Sequence, residues 1–198
     1  MKKFVVLFAL MTVVGFSFGQ QVSSRAKAMR MMTYARPEYQ IKDIKVYCDT
    51  MTLYSLSDYV IYPFGKWEMI EQIVTFDQLH WYREVGYKPF YDSMMVSVNT
   101  LRRLDGSFID MYKSIHTGLC EVLEAKITDP EIILDNGLQP GSPKDSVFST
   151  FFTKFPKSYT ADIAVLKVVS GAGEVFEIYT FKGRKLRHIA VGSKYKYY

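Results

Sequence analysis

Three β-rich runs joined by short glycine-containing turns lie near the end of the sequence, and they constrain the fold more than any other feature. The runs cover residues 163–169, 174–181 and 185–191, and they are separated by Gly171-Ala172-Gly173 and by Lys182-Gly183-Arg184. Glycine accepts the positive φ that tight hairpin turns require, so consecutive runs of this kind tend to pair in antiparallel order. The sequence therefore predicts an antiparallel meander at residues 163–191.

Further strands are predicted along the chain before the meander. Asp105-Gly106 lies between runs at 94–104 and 107–112, which indicates a hairpin. Another apolar-alternating run covers 119–128 and ends at Asp129-Pro130, and shorter strand-like runs occur at 44–47 and 132–134. The chain is therefore rich in strands that are connected by short turns.

The segment after Gly141 predicts a helix. Ser142 is expected to be the N-cap and Pro143 the first helical residue, and Asp145 adds an acidic side chain in the first turn. Pro156 then marks the end of the helix. Apolar side chains recur between these points at a spacing that gives one apolar face, namely Val147, Phe148, Phe151, Phe152 and Phe155. We expect this face to lie on the meander.

A fainter copy of the helix start appears 87 residues earlier. Ser55-Leu56-Ser57-Asp58 has the same S-x-x-D pattern, and both copies follow a strand-like run and precede several strands. This predicts an α+β fold of short helices packed on antiparallel β-meanders, with two tandem similar units at 41–128 and 129–198. S-x-x-D occurs at many helix starts, so a true repeat stays one of two interpretations. Residues 20–40 are interpreted as a polar leader or a first short helix outside the core.

The beginning of the sequence has the pattern of a signal peptide. Lys2 and Lys3 precede 13 uncharged residues at 4–16, whereas a spanning helix needs about 20. Ser17 and Gly19 then place small residues at the −3 and −1 positions of a cleavage site. The sequence predicts cleavage of residues 1–19 and a periplasmic or secreted bacterial protein with no later membrane span. An uncleaved N-terminal anchor is the alternative.

The positive charge does not indicate a nucleic-acid-binding protein. The formal charge is +5, and removal of residues 1–19 takes away two lysines and leaves +3. Much of the remaining excess lies in the final hairpin and tail, and export separates the protein from cytosolic nucleic acid. We therefore expect an envelope or extracellular protein or glycan as the partner, and no nucleic acid.

The two cysteines leave two interpretations open. Export would place Cys48 and Cys120 in an oxidising compartment, where a disulfide between them is allowed. The alternative is two buried free thiols, because cysteine is often a small core residue. Neither belongs to a C-x-x-C motif, so the sequence gives no support for redox catalysis or zinc binding.

No catalytic, metal or cofactor site is predicted from the motifs. Asp77, His80 and Glu84 would share one face of a helix, but this stretch also reads as a strand, which would scatter them. The sequence contains no G-x-S-x-G, Walker or EF-hand motif. The competing function is a cell-wall or glycan hydrolase that uses Asp77, Glu84 and Asp92 beside the aromatic residues. A small-ligand carrier is a third alternative.

The candidate binding chemistry is aromatic and basic. Tyrosines, tryptophans and phenylalanines are dense at residues 59–91, and basic residues cluster on the final hairpin. Aromatic rings are favoured binding anchors, and basic side chains attract anionic surfaces. The candidate binding residues are Trp67, Trp81, Tyr82, Tyr87, Lys182, Arg184 and Arg187. The other interpretation is that these aromatic residues form the core.

Two segments resemble a class of exported bacterial domains. Residues 136–147 resemble the leucine, glycine, serine, acid and valine start of the small outer-membrane-assembly lipoproteins and of the tandem domains of beta-lactamase inhibitor protein. Residues 176–189 resemble their last hairpin, so the similarity covers about 132–191 and, less closely, 44–128. The resemblance implies a short helical pair followed by a meander, and a non-catalytic protein-binding module of the cell envelope. The lipid-bearing cysteine is missing, which puts membrane anchoring in doubt.

Overall fold

The structure, a computed structural model, describes residues 25–56, 82–89, 95–113, 120–134, 136–170 and 175–193. Within these ranges the chain forms one mixed sheet of nine strands and a few short helices, which confirms the predicted α+β class. The strands are β1 (Ile41–Tyr47), β2 (Thr50–Ser55), β3 (Tyr82–Pro89), β4 (Met95–Arg102), β5 (Phe108–Lys113), β6 (Cys120–Ile127), β7 (Val165–Val169), β8 (Val175–Lys182) and β9 (Lys185–Ser193).

The predicted meander occupies the middle of the sheet. The strand order is β1-β2-β7-β8-β9-β6-β5-β4-β3, so β7, β8 and β9 are flanked on both sides by strands from earlier in the chain. β2 pairs with β7 in parallel, and every other neighbouring pair is antiparallel. The strands of residues 41–128 therefore lie on both sides of the meander, and the two tandem units stay a prediction.

Both predicted hairpins are confirmed. β4 and β5 pair around a turn in which Gly106 has a φ of 90°, and β8 and β9 pair around a turn in which Gly183 has a φ of 61°. Glycine adopts this left-handed conformation without the steric cost of a Cβ, which explains its place at both turns. The Gly171-Ala172-Gly173 turn lies outside the described residues.

The short helices pack on one face of this sheet. Residues 25–32 form α1, Pro37–Tyr39 form one 3-10 turn, Lys144–Phe151 form α2, and Lys157–Thr160 form α3. In α2 the Phe151 ring lies 5.8 Å from that of Tyr179 on β8, measured between centroids. The apolar face predicted for this helix is confirmed for Val147, Phe148 and Phe151, which are fully buried. The predicted end at Pro156 is wrong, because the helix ends at Phe151 and Phe152 is already extended; Phe152 and Phe155 still join the same core.

The start of α2 differs from the prediction. The helix begins at Lys144 with Pro143 as the N-cap, and no side chain caps it. The Ser142 hydroxyl instead accepts a hydrogen bond from the Gln139 amide at 3.1 Å. The prediction of Ser142 as N-cap is wrong because residues 141–144 pair with β9 before the helix starts. Three backbone hydrogen bonds make this connection: Gly141 N to Leu186 O, Leu186 N to Ser142 O, and Lys144 N to Arg184 O.

Three local predictions meet different outcomes. The strand predicted at 132–134 is wrong, because this stretch is a loop whose Leu134 amide bonds to the carbonyl of Leu138. The short-helix interpretation of the leader fits residues 25–32, but its place outside the core is wrong, because Met31 and Tyr39 are buried. Ser55 is the last residue of β2, and a helix after it would lie outside the described residues.

Candidate functional site

The sheet has a buried face beneath the helices and, on the opposite side, a face that none of the described helices covers, which we call the outer face. One row of directly paired residues crosses the buried face and contains a single acid among apolar side chains: Ile44, Leu53, Val168, Glu177, Val191, Ala125, Ile109 and Leu101. Side chains alternate between faces along each strand, so the neighbouring row points outward. That outward row is the candidate functional site.

The outward row interleaves cations with aromatic and small side chains. One residue from each strand contributes, in the order Lys45, Thr52, Lys167, Ile178, Ala190, Lys126, Phe108, Arg102 and Tyr82. All nine are exposed or half-buried. We call this set the cation row, because four of its nine members carry a positive charge. Neighbouring members are about 4.8 Å apart, which is the spacing between strands.

Three of the four cations lie over aromatic rings on the same face. The Lys167 Nζ is 4.2 Å from the centre of the Phe176 ring, and the Lys45 Nζ is 4.9 Å from that of Tyr54. The guanidinium carbon of Arg102 is 5.8 Å from the Phe108 ring. Such cation–π pairs hold long side chains against the sheet and keep their charges at its surface.

A glycine makes room for one of these rings. The Phe176 ring lies directly over Gly192 on the neighbouring strand, and a Cβ at position 192 would overlap it. The ring thereby lies flat on the outer face beneath the ammonium group of Lys167. This explains a strand glycine that the turn and hairpin patterns did not account for.

The fourth cation, Lys126, belongs to a basic patch with Arg187 and His188 on β9. Lys126 faces Ala190, two positions from His188 on the same side of the strand. Arg187 is the extra residue of a β-bulge and is exposed. Partial burial lowers the pKa of the His188 imidazole, and the charges of Lys126 and Arg187 lower it further. The patch is therefore a place of positive potential on the outer face.

The basic binding residues predicted from the sequence come together in part. Lys182 and Arg184 are exposed at the β8–β9 turn, and Arg187 lies three residues beyond Arg184 on β9. The Arg184 carbonyl accepts a hydrogen bond from the Lys144 amide, which fixes this turn to the start of α2. The β8–β9 turn is therefore a fixed basic segment that lies next to the basic patch.

The predicted aromatic residues do not join that hairpin. Trp67 and Trp81 lie outside the described residues, and for Tyr87 only the backbone on β3 is described. Tyr82 is 46% exposed, but β3 is four strands away from β9, or about 19 Å at the usual spacing. Tyr82 contributes to the cation row instead, next to Arg102.

Of the two interpretations left open for the cysteines, the disulfide is not formed. Cys48 is an exposed free thiol at the β1–β2 turn, where its φ is 51°. Cys120 begins β6, which is four strand positions from β2, or about 19 Å across the sheet. A disulfide requires Cα atoms within about 7 Å, so the fold separates the pair. The buried-thiol alternative is also wrong for Cys48.

The residues of the hydrolase alternative are not assembled in the described part of the chain. Asp77, His80 and Asp92 lie outside it, as does His116. Glu84 is exposed on β3 and forms an ion pair with Arg102 at 3.0 Å. Among the described residues no cluster of three His, Cys, Asp or Glu side chains could hold a metal ion.

A polar network that sequence reasoning missed joins the β4–β5 turn to the end of β6. Arg103 is buried and forms an ion pair with Asp129 at 2.5 Å. Ser107 and Thr128 hydroxyls donate to the Asp105 carboxylate at 2.7 and 2.8 Å. Partial burial alone would raise the pKa of Asp105, but these hydrogen bonds and the Arg103 charge outweigh it and lower the pKa. The network stabilises the β4–β5 turn, and each of its charged groups has an ion-pair or hydrogen-bond partner.

Glu177 is the other polar residue that the sequence did not reveal. Its side chain is completely buried in the middle of β8, where Val168 and Val191 face it on the neighbouring strands. The Tyr179 hydroxyl donates to Glu177 Oε2 at 2.5 Å and itself accepts from Asn136 Nδ2 at 3.2 Å. Among the described residues Glu177 Oε1 has no hydrogen-bond partner. Burial raises the pKa of Glu177 to about 7, although the Tyr179 hydrogen bond opposes the shift.

No protein-family model, curated protein or solved structure matches the chain significantly. The resemblance to the exported bacterial domains therefore stays a prediction. Within the described ranges, no helix is both long and apolar enough to cross a membrane.

Proposed function

We propose that this chain is an exported, non-catalytic binding protein of the cell envelope or extracellular space, and that its outer face binds an acidic glycan. The cation row is the observation that carries the proposal. It places four positive charges and two aromatic rings on one side of the sheet, opposite to the face that the helices cover. Lys45 and Arg102 form ion pairs with Asp43 and Glu84, so the charges offered to a ligand are those of Lys126 and Lys167. The signal-peptide pattern of residues 1–19 supports the compartment.

The spacing of the row suits a linear polymer of sugars. Neighbouring strands are about 4.8 Å apart, which is close to the length of one sugar unit in an extended glycan. A glycan lying across the strands would therefore meet a new side chain at each unit. The Tyr82 ring offers a flat apolar surface to sugar rings, while Lys126 and Lys167 attract acidic substituents.

The arrangement favours an acidic glycan over an acidic protein as the ligand. A protein partner needs a contiguous apolar centre within its interface. On the outer face the half-buried Ile178 and Phe108 are separated by Ala190 and Lys126 instead of forming one patch. A thin, repeating and negatively charged chain matches this pattern better.

Binding can be tested with two double variants of equal charge change. Lys126→Gln with Lys167→Gln removes two charges of the cation row, and Lys154→Gln with Lys157→Gln removes two exposed charges on the helical side. We expect the first pair to weaken binding to polygalacturonate by roughly ten-fold and the second pair to leave it within about two-fold. Isothermal titration calorimetry at low salt measures both. The proposal would be refuted if the two double variants lost affinity for polygalacturonate equally, or if the unaltered chain bound no acidic glycan.

Export is tested separately by mass spectrometry of the protein recovered outside the cytoplasm. The expected mass corresponds to a chain that begins at Gln20. Recovery of the uncleaved chain in the membrane fraction would favour the N-terminal anchor.

A further inference from the structure

Three groups of the basic patch lie close together on the outer face, where β6 and β9 pair. Lys126 faces Ala190, and His188 is the next residue of β9 on that side. Arg187 precedes His188 as the extra residue of the bulge between Thr180 and Phe181 of β8, which turns its exposed side chain toward solvent. In the described part of the chain neither Lys126 nor Arg187 forms an ion pair.

The surroundings of His188 contain little negative charge to balance these cations. On β8 the facing residue is Thr180, and the next outward residue toward the turn is Lys182. Extension of the β6 register by one residue places Thr128 opposite His188, and the Thr128 hydroxyl is already donated to Asp105 at 2.8 Å. Glu124 lies two positions before Lys126 on β6, farther from His188 along the strand.

We propose that Lys126, Arg187 and His188 form a subsite for a phosphate group carried by the glycan, and that this phosphate binds together with one proton on His188. The inference rests on the proposed function, since it names the acidic substituent that the outer face would recognise. A phosphate monoester carries close to two negative charges at neutral pH and presents three acceptor oxygens. Three neighbouring donor side chains suit a group with three acceptor oxygens better than a carboxylate, which offers two.

The electrostatics explain why a dianion is selected. Burial and the two neighbouring cations lower the pKa of His188, so the free imidazole stays neutral at neutral pH. A bound dianion balances the charges of Lys126 and Arg187, which removes their repulsion on a protonated His188, and its oxygens can accept a hydrogen bond from the imidazolium. His188 should then take up a proton on binding, whereas a monoanion would leave it largely neutral.

The test uses inorganic sulfate as the main probe, because sulfate keeps two charges throughout the pH range in which histidine titrates. The imidazole signals of His188 in the full chain are followed by NMR at rising pH, with and without sulfate. We expect sulfate to raise the His188 pKa clearly and methyl sulfate, a monoanion, to raise it much less. Glucose 6-phosphate should bind more tightly than glucuronate at the same pH.

Variants separate the subsite from a general effect of charge. Lys126→Gln or Arg187→Gln should each weaken sulfate binding by roughly two- to five-fold, and Lys154→Gln should not change it. His188→Asn should abolish the increase in sulfate affinity at low pH while the chain stays folded. An unchanged His188 pKa in sulfate, or an equal response to methyl sulfate, would overturn the inference.

These results are distinguishable from those on glycan binding. If sulfate raises the His188 pKa but no acidic glycan binds, the proposed function fails while the subsite stands as an anion site. If polygalacturonate binds through the cation row and His188 does not respond to sulfate, only the phosphate subsite fails.

Discussion

Replacing Glu177 by glutamine should make the stability of this protein less sensitive to pH, because the carboxyl group lies in the apolar middle of the sheet. The side chain is fully buried, and its Oε1 has no hydrogen-bond partner among the described residues. Ionisation would place an uncompensated charge beside Val168 and Val191. Glutamine has nearly the same shape and cannot ionise.

The magnitude follows from the pKa of Glu177, which burial raises from 4.5 to about 7. The native state holds the proton more tightly than the unfolded chain, so this stabilisation is complete below pH 4.5 and is lost as the pH rises to about 7. A difference of about 2.5 pKa units corresponds to about 3 kcal/mol of unfolding free energy. Glu177→Gln should therefore gain about 3 kcal/mol relative to the unaltered chain between pH 4.5 and pH 8.

Urea unfolding at a series of pH values measures this difference. Other titrating groups contribute equally to both proteins, so the difference between them isolates Glu177. Glu124→Gln, which changes an exposed acid on β6, is the matched control and should follow the unaltered chain at every pH. Tyr179→Phe removes the hydrogen bond that favours the ionised carboxylate, so it should move the pH-dependent window upward.

Parallel stability curves for Glu177→Gln and the unaltered chain would refute the reasoning, because they would mean that Glu177 ionises with no greater cost than in the unfolded chain. A difference that grows as the pH falls would have the wrong sign and would refute it equally.

Two further predictions concern other contacts of the sheet. Gly192→Ala should cost about 1 kcal/mol of unfolding free energy, because the new methyl group displaces the Phe176 ring. In a Phe176→Ala background the same substitution should be neutral. A double-mutant cycle measured by urea unfolding tests this coupling. Arg103→Met should cost about 3 kcal/mol of unfolding free energy, because it leaves the mostly buried Asp129 carboxylate without its ion-pair partner. Arg102→Met breaks only the exposed pair with Glu84 and should cost less than about 1 kcal/mol. Similar losses of unfolding free energy in the two arginine variants, measured by thermal or urea unfolding, would contradict this prediction.

The elements that depend on local sequence could be predicted. The β4–β5 and β8–β9 hairpins follow from glycine turns between alternating runs, and α2 follows from apolar residues at helical spacing. The predicted start of α2 is one residue too early, because Ser142 bonds to a local amide instead of capping the helix. Residues 132–134 were mistaken for a strand because Ile132 and Leu134 are buried from a loop.

The cation row could not be predicted, because its members meet only through long-range pairing. Lys45 and Lys167 are 122 residues apart in sequence and are joined through the parallel β2–β7 pair. Nothing local specifies which strands become neighbours in a sheet of nine.

Glu177 was missed for a different reason. Both faces of β8 are largely apolar, so alternation alone does not say which face is buried. The helices cover the face that carries Val175, Tyr179 and Phe181, and Glu177 is buried with them.

The position of β9 has a consequence for the order in which this chain can fold. β9 is the last of the described strands along the sequence, yet it lies between β8 and β6 and joins the two parts of the sheet. Until residues 185–193 have been synthesised, β6 and β8 each lack the neighbour that completes their hydrogen bonding. Growing chains fold from their N-terminal side when local pairing permits, and here the topology prevents early completion of the sheet. The two parts of the sheet therefore become one hydrogen-bonded unit only after residues 185–193 have been made, and until then β6 and β8 are exposed sheet edges that can pair with other chains.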